Sequence, residues 1–283
     1  MLRHRYTFVM RILALLVLLS VALAAAGCGG DDGSDIDEAV AAMMKKIPRG
    51  TDAFAYFDVA ALRSDNDLAA MSDALMGDWD AAFGALSMPV DDIDAVGLAG
   101  EETMVFAGSF DLDEIRDVLD DGGMDDDEYL DVEIWEEGDV GLALVSEDCI
   151  IFQLDGDIED CVDAMKGKRP SVYDDEDVAG TVGRLPASLI VLYGVEGGGI
   201  FDDLGLDDLE ATAVSMDKAD ADTISMALVF RFEDEDAADD AIEDIEDNMK
   251  EDPGGIDPDT VEIEQDGRYV EVTAEAAMGT FLS

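Results

Sequence analysis

The chain has almost no histidine. Of its 283 residues only His4 is one, and it lies ahead of the long apolar run near the N-terminus. A folded body that follows this run therefore has no imidazole, which excludes Ser-His-Asp triads, Cys-His nucleophile pairs and zinc sites built on histidine. No G-x-S-x-G is present, and although Ser215–Lys218 matches S-x-x-K, no K-T-G completes that set. We therefore expect neither an enzyme nor a cofactor.

Basic residues are also scarce, with 16 Lys and Arg against 71 Asp and Glu and a formal net charge of −55. A surface of this sign repels phosphate, so nucleic acid is excluded as a partner, while divalent cations and basic surfaces are electrostatically allowed. Self-repulsion of this size destabilises a fold unless counterions screen it, and we therefore expect a saline exterior. Disorder does not explain the charge, because 48% of the chain is apolar and these residues are patterned.

Only one long apolar segment is present, Ile12–Ala26, and it is shorter than the roughly 20 residues that span a membrane. Arg3, Arg5 and Arg11 precede it, and Ala25-Ala26-Gly27-Cys28 closes it. A basic start, an apolar centre and small residues before a cysteine predict a secretory signal peptide over residues 1–27. Its removal would leave 71 acids against 13 bases, a formal charge of −58.

This stretch resembles the signals of bacterial lipoproteins, with Ala25 standing where that family usually has Leu or another larger aliphatic residue. The resemblance implies a diacylglycerol thioether on Cys28 and a body anchored by lipid to the outer face of the cell membrane. The alternative is an uncleaved signal anchor. Met10 offers a second start within the signal, and residues 28–47 are predicted to hold the lipidated cysteine, a flexible spacer and a short helix from about Ile36 to Lys46.

Two further cysteines, Cys149 and Cys161, have two interpretations. An extracytoplasmic location favours a disulfide between them. However, Cys149 begins the apolar strand CIIFQL and Cys161 lies about one turn into the next helix, which offsets them by about 10 Å. Bridged Cα atoms lie within roughly 7 Å of one another, so two buried free thiols are the alternative.

The order of the predicted elements indicates an internal duplication. Residues 48–185 and 186–283 each contain a Pro-led entry strand, further strands, an acidic helix and a closing hairpin. We predict an α+β fold of two similar modules, each an antiparallel sheet with helices packed on one face. This order is similar to that of surface lipoproteins from bacteria with Asp-rich proteomes, which implies a cell-surface ectodomain.

Three local patterns are specific enough to predict elements. Asp111 as a cap and Gly122-Gly123 as a stop predict a helix over 112–121. Strict alternation over 223–232 predicts a strand with one strongly apolar face and one mixed face. Asp266-Gly267 predicts a two-residue turn.

The turn at Asp266-Gly267 sets the register of the last hairpin. It places Ile263 opposite Val270 and Glu262 opposite Glu271. Val261, Ile263, Val270 and Val272 then share one face of the sheet.

Acidic groups that could hold a divalent cation occur three times, as Asp65-Asn66-Asp67, as Asp125–Glu128, and as Asp217 with Asp220 and Asp222. None completes a D-x-[DN]-x-[DN]-G loop that ends in a bidentate Glu, so turn and loop solvation is the preferred explanation of each group and weak divalent binding is the alternative. No metal ligand is therefore assigned. Gly197-Gly198-Gly199 is interpreted as a turn, because no Lys-Ser or Lys-Thr follows it.

The pattern as a whole favours a membrane-tethered lipoprotein of binding or structural type. One alternative is a lipoprotein that binds divalent cations or a small solute. A second is a hydrolase that uses carboxylates alone, which requires two acids buried together in a cleft. The aromatic residues best able to line a pocket are expected in the core instead; they are Tyr56, Phe57, Trp79, Phe106, Phe110, Trp135 and Tyr193.

Overall fold

The structure, a computed structural model, describes residues 36–68, 83–100, 102–154, 156–195, 206, 208–251 and 256–278. Its helices are α1 Glu38–Met44, α2 Val59–Ser64, α3 Leu112–Gly122, α4 Ile158–Met165, α5 Glu176–Val182 and α6 Glu235–Glu251. Its strands are β1 Ala53–Asp58, β2 Ile93–Ala99, β3 Thr103–Gly108, β4 Asp125–Tyr129, β5 Val132–Glu137, β6 Val140–Ser146, β7 Cys149–Leu154, β8 Ile190–Val195, β9 Leu209–Lys218, β10 Thr223–Phe232, β11 Ile256–Asp266 and β12 Tyr269–Ala277.

The twelve strands form one mostly antiparallel sheet in the order β11-β12-β10-β9-β8-β1-β2-β3-β7-β6-β5-β4. The prediction of two separate sheet modules with helices on one face is therefore wrong. Strands such as β2, β3 and β10 are buried on both faces, so each face needs a cover. The pattern of apolar residues in a strand also does not show whether one edge of the strand or both edges pair with neighbouring strands.

By compactness the chain divides into two units, and each is described by itself. The first contains residues 39–51 and 56–175. Here α3 and α4 cover opposite faces of the sheet. Arg116 of α3 binds Glu133 of β5. Ile158 of α4 packs on Gly141 of β6, and Gly141 pairs with Glu136 of β5. Glu133 and Glu136 are three residues apart on β5 and point to opposite faces.

The second unit contains residues 52–55 and 176–283, and its helices also lie on both faces. Asp177 of α5 contacts Arg231 of β10 at 2.7 Å. The α6 carbonyl of Glu235 accepts a hydrogen bond from Gln265, which pairs with Val270 in the ladder. Val270 pairs in turn with Phe230, so the side chains of Gln265, Val270 and Phe230 share one face of the sheet. Arg231 is the next residue after Phe230 and points to the other face, so α5 and α6 cover opposite faces.

The predicted helix at 112–121 is confirmed as α3, because local signals define both of its ends. The Asp111 carboxylate accepts hydrogen bonds from the backbone N–H groups of Asp113 and Glu114. At the other end Gly123 adopts φ +79°, a left-handed conformation that favours glycine. Ile115 and Leu119 are buried beneath the helix.

The predicted strand at 223–232 is confirmed as β10, but its mixed face is buried as well. Val229 and Arg231 are as inaccessible as Leu228 and Phe230 on the other side. The physical reason is that α5 covers the mixed face.

The register predicted for the last hairpin is wrong by two residues. Ile263 pairs with Val272 and Glu264 with Glu271, and the turn is Gly267-Arg268. Gly267 has φ +61° whereas Arg268 does not have a positive φ, as in type II′ turns, where glycine occupies the first central position. Because a shift of two preserves the alternation, Ile263, Val270 and Val272 still share one face.

Candidate functional site

The predicted lipidation site, Cys28, lies outside the described residues, which begin at Ile36. Within the part of the chain that the structure describes, no helix has the length and apolar character needed to cross a bilayer.

Cys149 and Cys161 are both buried free thiols in the structure. The Cys161 thiol donates a hydrogen bond to Gln153 Oε1 at 3.3 Å, and Thr103 donates to the same oxygen at 2.6 Å. Cys149 lies four residues from Gln153 on β7, roughly 13 Å along the strand. Burial raises the pKa of the Cys149 thiol and raises the pKa of Cys161 to about 12, so neither is poised as a nucleophile.

The three acidic clusters considered as cation sites have local structural roles: two contain turns and the third forms a strand. Asp65 and Asp220 accept hydrogen bonds from the N–H groups two residues on, at 2.8 and 2.9 Å, as in Asx turns. The hydrogen bond from the Asp222 backbone lowers the pKa of Asp220. Asp125–Glu128 form most of β4, an edge strand. Among the described residues, no group of three His, Cys, Asp or Glu side chains is placed to hold a metal ion.

The described carboxylates are all at least partly exposed. The pKa of Glu159 is raised, first by partial burial and then by neighbouring carboxylates that include Asp157 and Glu136. Two acids buried together in a cleft, which a carboxylate hydrolase requires, are not found in the described ranges.

An open cleft of about 530 Å³ lies in the first unit where α3 begins. Residues 109–113, Arg116, Glu147 and Asp148 line it. Its only guanidinium is already bound, because Arg116 contacts Glu133 at 2.9 Å and Asp113 at 2.7 Å. Arg116 also lowers the pKa of Glu133 by hydrogen bonding to it. The cleft therefore presents carboxylates to solvent and contains no assembled catalytic group.

A second polar cluster, in the second unit, fastens α5 to the sheet. Arg231 is 7% exposed and lies 2.7 Å from Asp177 and 3.2 Å from Glu210. Arg268 contacts the same two carboxylates at 3.0 and 3.4 Å. The Nε and Nη1 groups of Arg231 are not aligned for hydrogen bonds at these distances, so the contacts are ionic.

Tyr269 continues this cluster toward the C-terminal end of α5. The Arg184 guanidinium stacks on its ring at 4.0 Å from the centroid and also contacts Asp266 and Glu271. A Cβ atom at Gly180 would lie 3.0 Å from the Tyr269 hydroxyl. All three arginines of the cluster are therefore held by carboxylates, which gives it a structural role.

Other sequence candidates are dispersed by the fold. Ser215 and Lys218 are three residues apart on β9, so they point to opposite faces and form no Ser-Lys pair. The predicted pocket aromatics are buried in the core, with Trp79 and Gly197-Gly198-Gly199 outside the described residues.

Sequence reasoning missed two features. The first is the pairing of Arg231, for which the isolated Arg in an apolar strand was the available signal. The second is the meeting of two base-rich segments, 45–51 and 164–173, through a bridge between Pro48 and Ser171. The absence of acids from both segments was visible in the sequence, but their proximity was not.

Solved structures provide the only similarity found. The chain is similar to TP0453, a Treponema protein, in crystal forms III, IV and I. The TM-scores are 0.50, 0.52 and 0.50, at 14%, 12% and 13% identity. The matches cover 83%, 87% and 84% of this chain and 93%, 94% and 94% of TP0453. No family model and no curated protein sequence matches the chain. The likeness to TP0453 shows a common fold.

Proposed function

We propose that this protein is an extracytoplasmic lipoprotein, tethered to the outer face of the cell membrane through Cys28, of binding or structural type. The observation that carries the proposal is the N-terminal sequence, with Arg3, Arg5 and Arg11 before an apolar run that ends in Ala-Ala-Gly-Cys. A thiol that becomes the first residue after cleavage is the acceptor for lipid. The fold likeness to TP0453 adds nothing about location.

The chemistry of the described residues supports a role without catalysis. Carboxylates cover the surface, the thiols are buried with raised pKa values, and the buried Arg231 is held by acids on neighbouring elements. None of these groups combines an accessible nucleophile with a general base. No observation among the described residues favours the cation-binding or the carboxylate-hydrolase alternative.

A pair of cysteine substitutions tests the tether. Cys28→Ser removes the lipid acceptor, so the variant should leave the membrane fraction or retain its leader, whereas wild type should remain in the membrane fraction. Cys149→Ser is the matched control, because it removes one thiol from the folded body and should not change fractionation. Membrane retention of a processed Cys28→Ser chain would refute the proposal.

A further inference from the structure

Two segments of the first unit differ in charge from the rest of the chain. Residues 45–51 and 164–173 contain six basic residues and no acid. A quarter of all residues are acidic, so seventeen residues would carry about four acids on average. The six bases are Lys45, Lys46, Arg49, Lys166, Lys168 and Arg169, and we call them the basic patch.

The fold brings the two segments together although they are more than a hundred residues apart. Pro48 and Ser171 form an antiparallel bridge. The Arg49 N–H donates to the carbonyl of Pro170 at 3.0 Å, and the Val172 N–H donates to the carbonyl of Ile47 at 2.9 Å. The first segment follows α1 and the second includes the end of α4. The basic patch is therefore continuous at the backbone level.

Among the described residues, three of the six bases, Lys45, Lys166 and Lys168, are both exposed and without an ion pair. Lys45, Arg49, Lys166 and Lys168 are exposed. Arg49 pairs with Asp175 at 2.7 Å, and Arg169 pairs with Asp160. Within the described ranges the four lysines form no ion pair.

Two lysines of the patch contact uncharged groups. Lys45 Nζ lies 4.3 Å from the centroid of the Tyr173 ring, and Lys46 Nζ donates to the carbonyl of Ala42 at 2.8 Å. Neither contact removes the positive charge. The patch therefore presents a positive surface in an otherwise acidic protein.

Helix capping explains only part of this arrangement. Cations are favoured at helix C-termini, which accounts for Lys46 and suits Lys166 at the end of α4. It does not account for Arg49 or Lys168, which lie beyond the helix ends.

We propose that the basic patch docks on the anionic headgroups of the membrane to which the chain is tethered. The inference rests on the proposed lipidation of Cys28. Nine residues lie between Cys28 and the start of α1, and the ten Cα-to-Cα steps that they provide reach at most about 35 Å. Helix α1 adds about 10 Å, so the patch can contact the bilayer that holds the lipid.

The large net negative charge does not prevent this contact. The Debye length is roughly 10 Å at 0.1 M salt and roughly 3 Å at 1 M, so in the saline exterior expected from the sequence only charges close to a headgroup contribute. Four acids adjoin the patch, Asp160, Asp163, Asp174 and Asp175, and the six bases still leave a local charge of 6 − 4 = +2, which decides the interaction. The tether also keeps the patch at a high effective concentration near the surface, so a weak contact is sufficient to orient the body. At cytoplasmic leaflets a basic cluster beside a lipid anchor acts as a second signal for membrane binding, and the same attraction operates at any leaflet that contains anionic lipid.

Lysine footprinting tests the docking. The lipidated mature protein is reconstituted in vesicles of phosphatidylcholine alone or with phosphatidylglycerol, treated with an amine-reactive reagent and analysed by mass spectrometry. We expect the modification rates of Lys166 and Lys168 to fall roughly fivefold in the anionic vesicles. The rate at Lys218, which lies in the second unit, should not change. Equal rates at Lys166 and Lys168 in the two vesicles would overturn the proposal.

Charge-reversal variants provide a matched control. Lys166→Glu with Lys168→Glu should abolish the protection of Lys45 in anionic vesicles. Lys218→Glu with Lys250→Glu changes the net charge equally and should preserve it. Thermal melting of both variants checks that they fold, and an equal effect of the two pairs would contradict a local patch.

Other occupants of the patch give different results. Protection in phosphatidylcholine vesicles that grows with protein density would show that a second copy covers the patch, and would overturn the proposal. Protection by inorganic phosphate without vesicles would do the same. The mass of the N-terminal peptide, measured on the protein as isolated from membranes before reconstitution, distinguishes failure of the docking from failure of the tether. Lipidated Cys28 with unprotected lysines defeats only the docking, whereas unmodified Cys28 in the isolated protein defeats the proposed function.

Discussion

Replacing Gly141 by Ala tests how closely α4 packs on the sheet of the first unit. A Cβ atom at Gly141 would lie 2.8 Å from Ile158 Cβ and 3.2 Å from its Cγ2. Carbon atoms prefer about 3.5–4.0 Å, so the helix or the strand must move by about 1 Å. Ile158 is fully buried at the start of α4.

The expected cost follows from two opposing effects. Overpacking of this kind destabilises by about 1–3 kcal/mol. Alanine recovers about 0.5–1 kcal/mol because glycine loses more conformational freedom on folding. The two ranges combine to a net cost between about 0 and 2.5 kcal/mol, and we expect Gly141→Ala to lower the free energy of unfolding by about 1 kcal/mol, near the middle of that range.

Urea denaturation of the mature chain at fixed high salt measures this difference, with an unchanged dependence on denaturant as the sign that only stability has changed. Gly122→Ala is the control. Gly122 ends α3, and a Cβ atom at this position would have no other atom within 4 Å, so alanine should stabilise by about 0.5–1 kcal/mol. A Gly141→Ala variant that is stabilised as much as the Gly122→Ala control would refute the packing of Ile158 on Gly141.

Three further predictions concern charge, turn strain and thiol reactivity. Arg116 lowers the pKa of Glu133 in the folded state. The ionised carboxylate therefore stabilises the fold at pH values above its unfolded pKa of about 4.3. This contribution is lost as the pH falls through the lower pKa of the folded state. Glu133→Gln should therefore cost about 0.5–1 kcal/mol near pH 7 in urea titrations and progressively less in acid; a constant difference would argue against the pair. Leu130, at φ +54° in the β4–β5 turn, is in a conformation that asparagine tolerates better, so Leu130→Asn should stabilise by about 0.5–1 kcal/mol, and a lower melting temperature would contradict the turn geometry. Cys149 and Cys161, with raised pKa values, should resist alkylation near pH 8 in the native protein and react promptly in urea; rapid native labelling would show that they are accessible.

Local signals predicted the elements whose ends are defined by a few adjacent residues. Asp111 and Gly123 delimit α3 because a cap and a left-handed glycine act within one turn of the helix. The alternation in β10 likewise identified which side chains share a face. Neither signal depends on a distant part of the chain.

Pairing partners and sheet edges were not predictable in the same way. A shift of two residues leaves every side chain of a hairpin on its original face, so the alternation did not distinguish Ile263–Val270 from Ile263–Val272. The conformation of Gly267 decided between them. Asp125–Tyr129 form a strand despite four consecutive acids of low strand propensity, because pairing with β5 overrides that propensity.

The charged clusters show the same limit. The burial of Arg231 depends on Asp177 and Glu210, which are remote in sequence. The basic patch depends on the bridge between Pro48 and Ser171. Composition identified the unusual residues in both cases, and only the fold brought their partners together.

The mass of the N-terminal peptide of the protein isolated from its native membrane tests the lipid tether most directly. We expect this peptide to begin at Cys28 and to carry a lipid joined through the sulfur atom. A peptide with an unmodified thiol at Cys28, or one that still contains the residues before it, would contradict the tether and the membrane contact inferred from it.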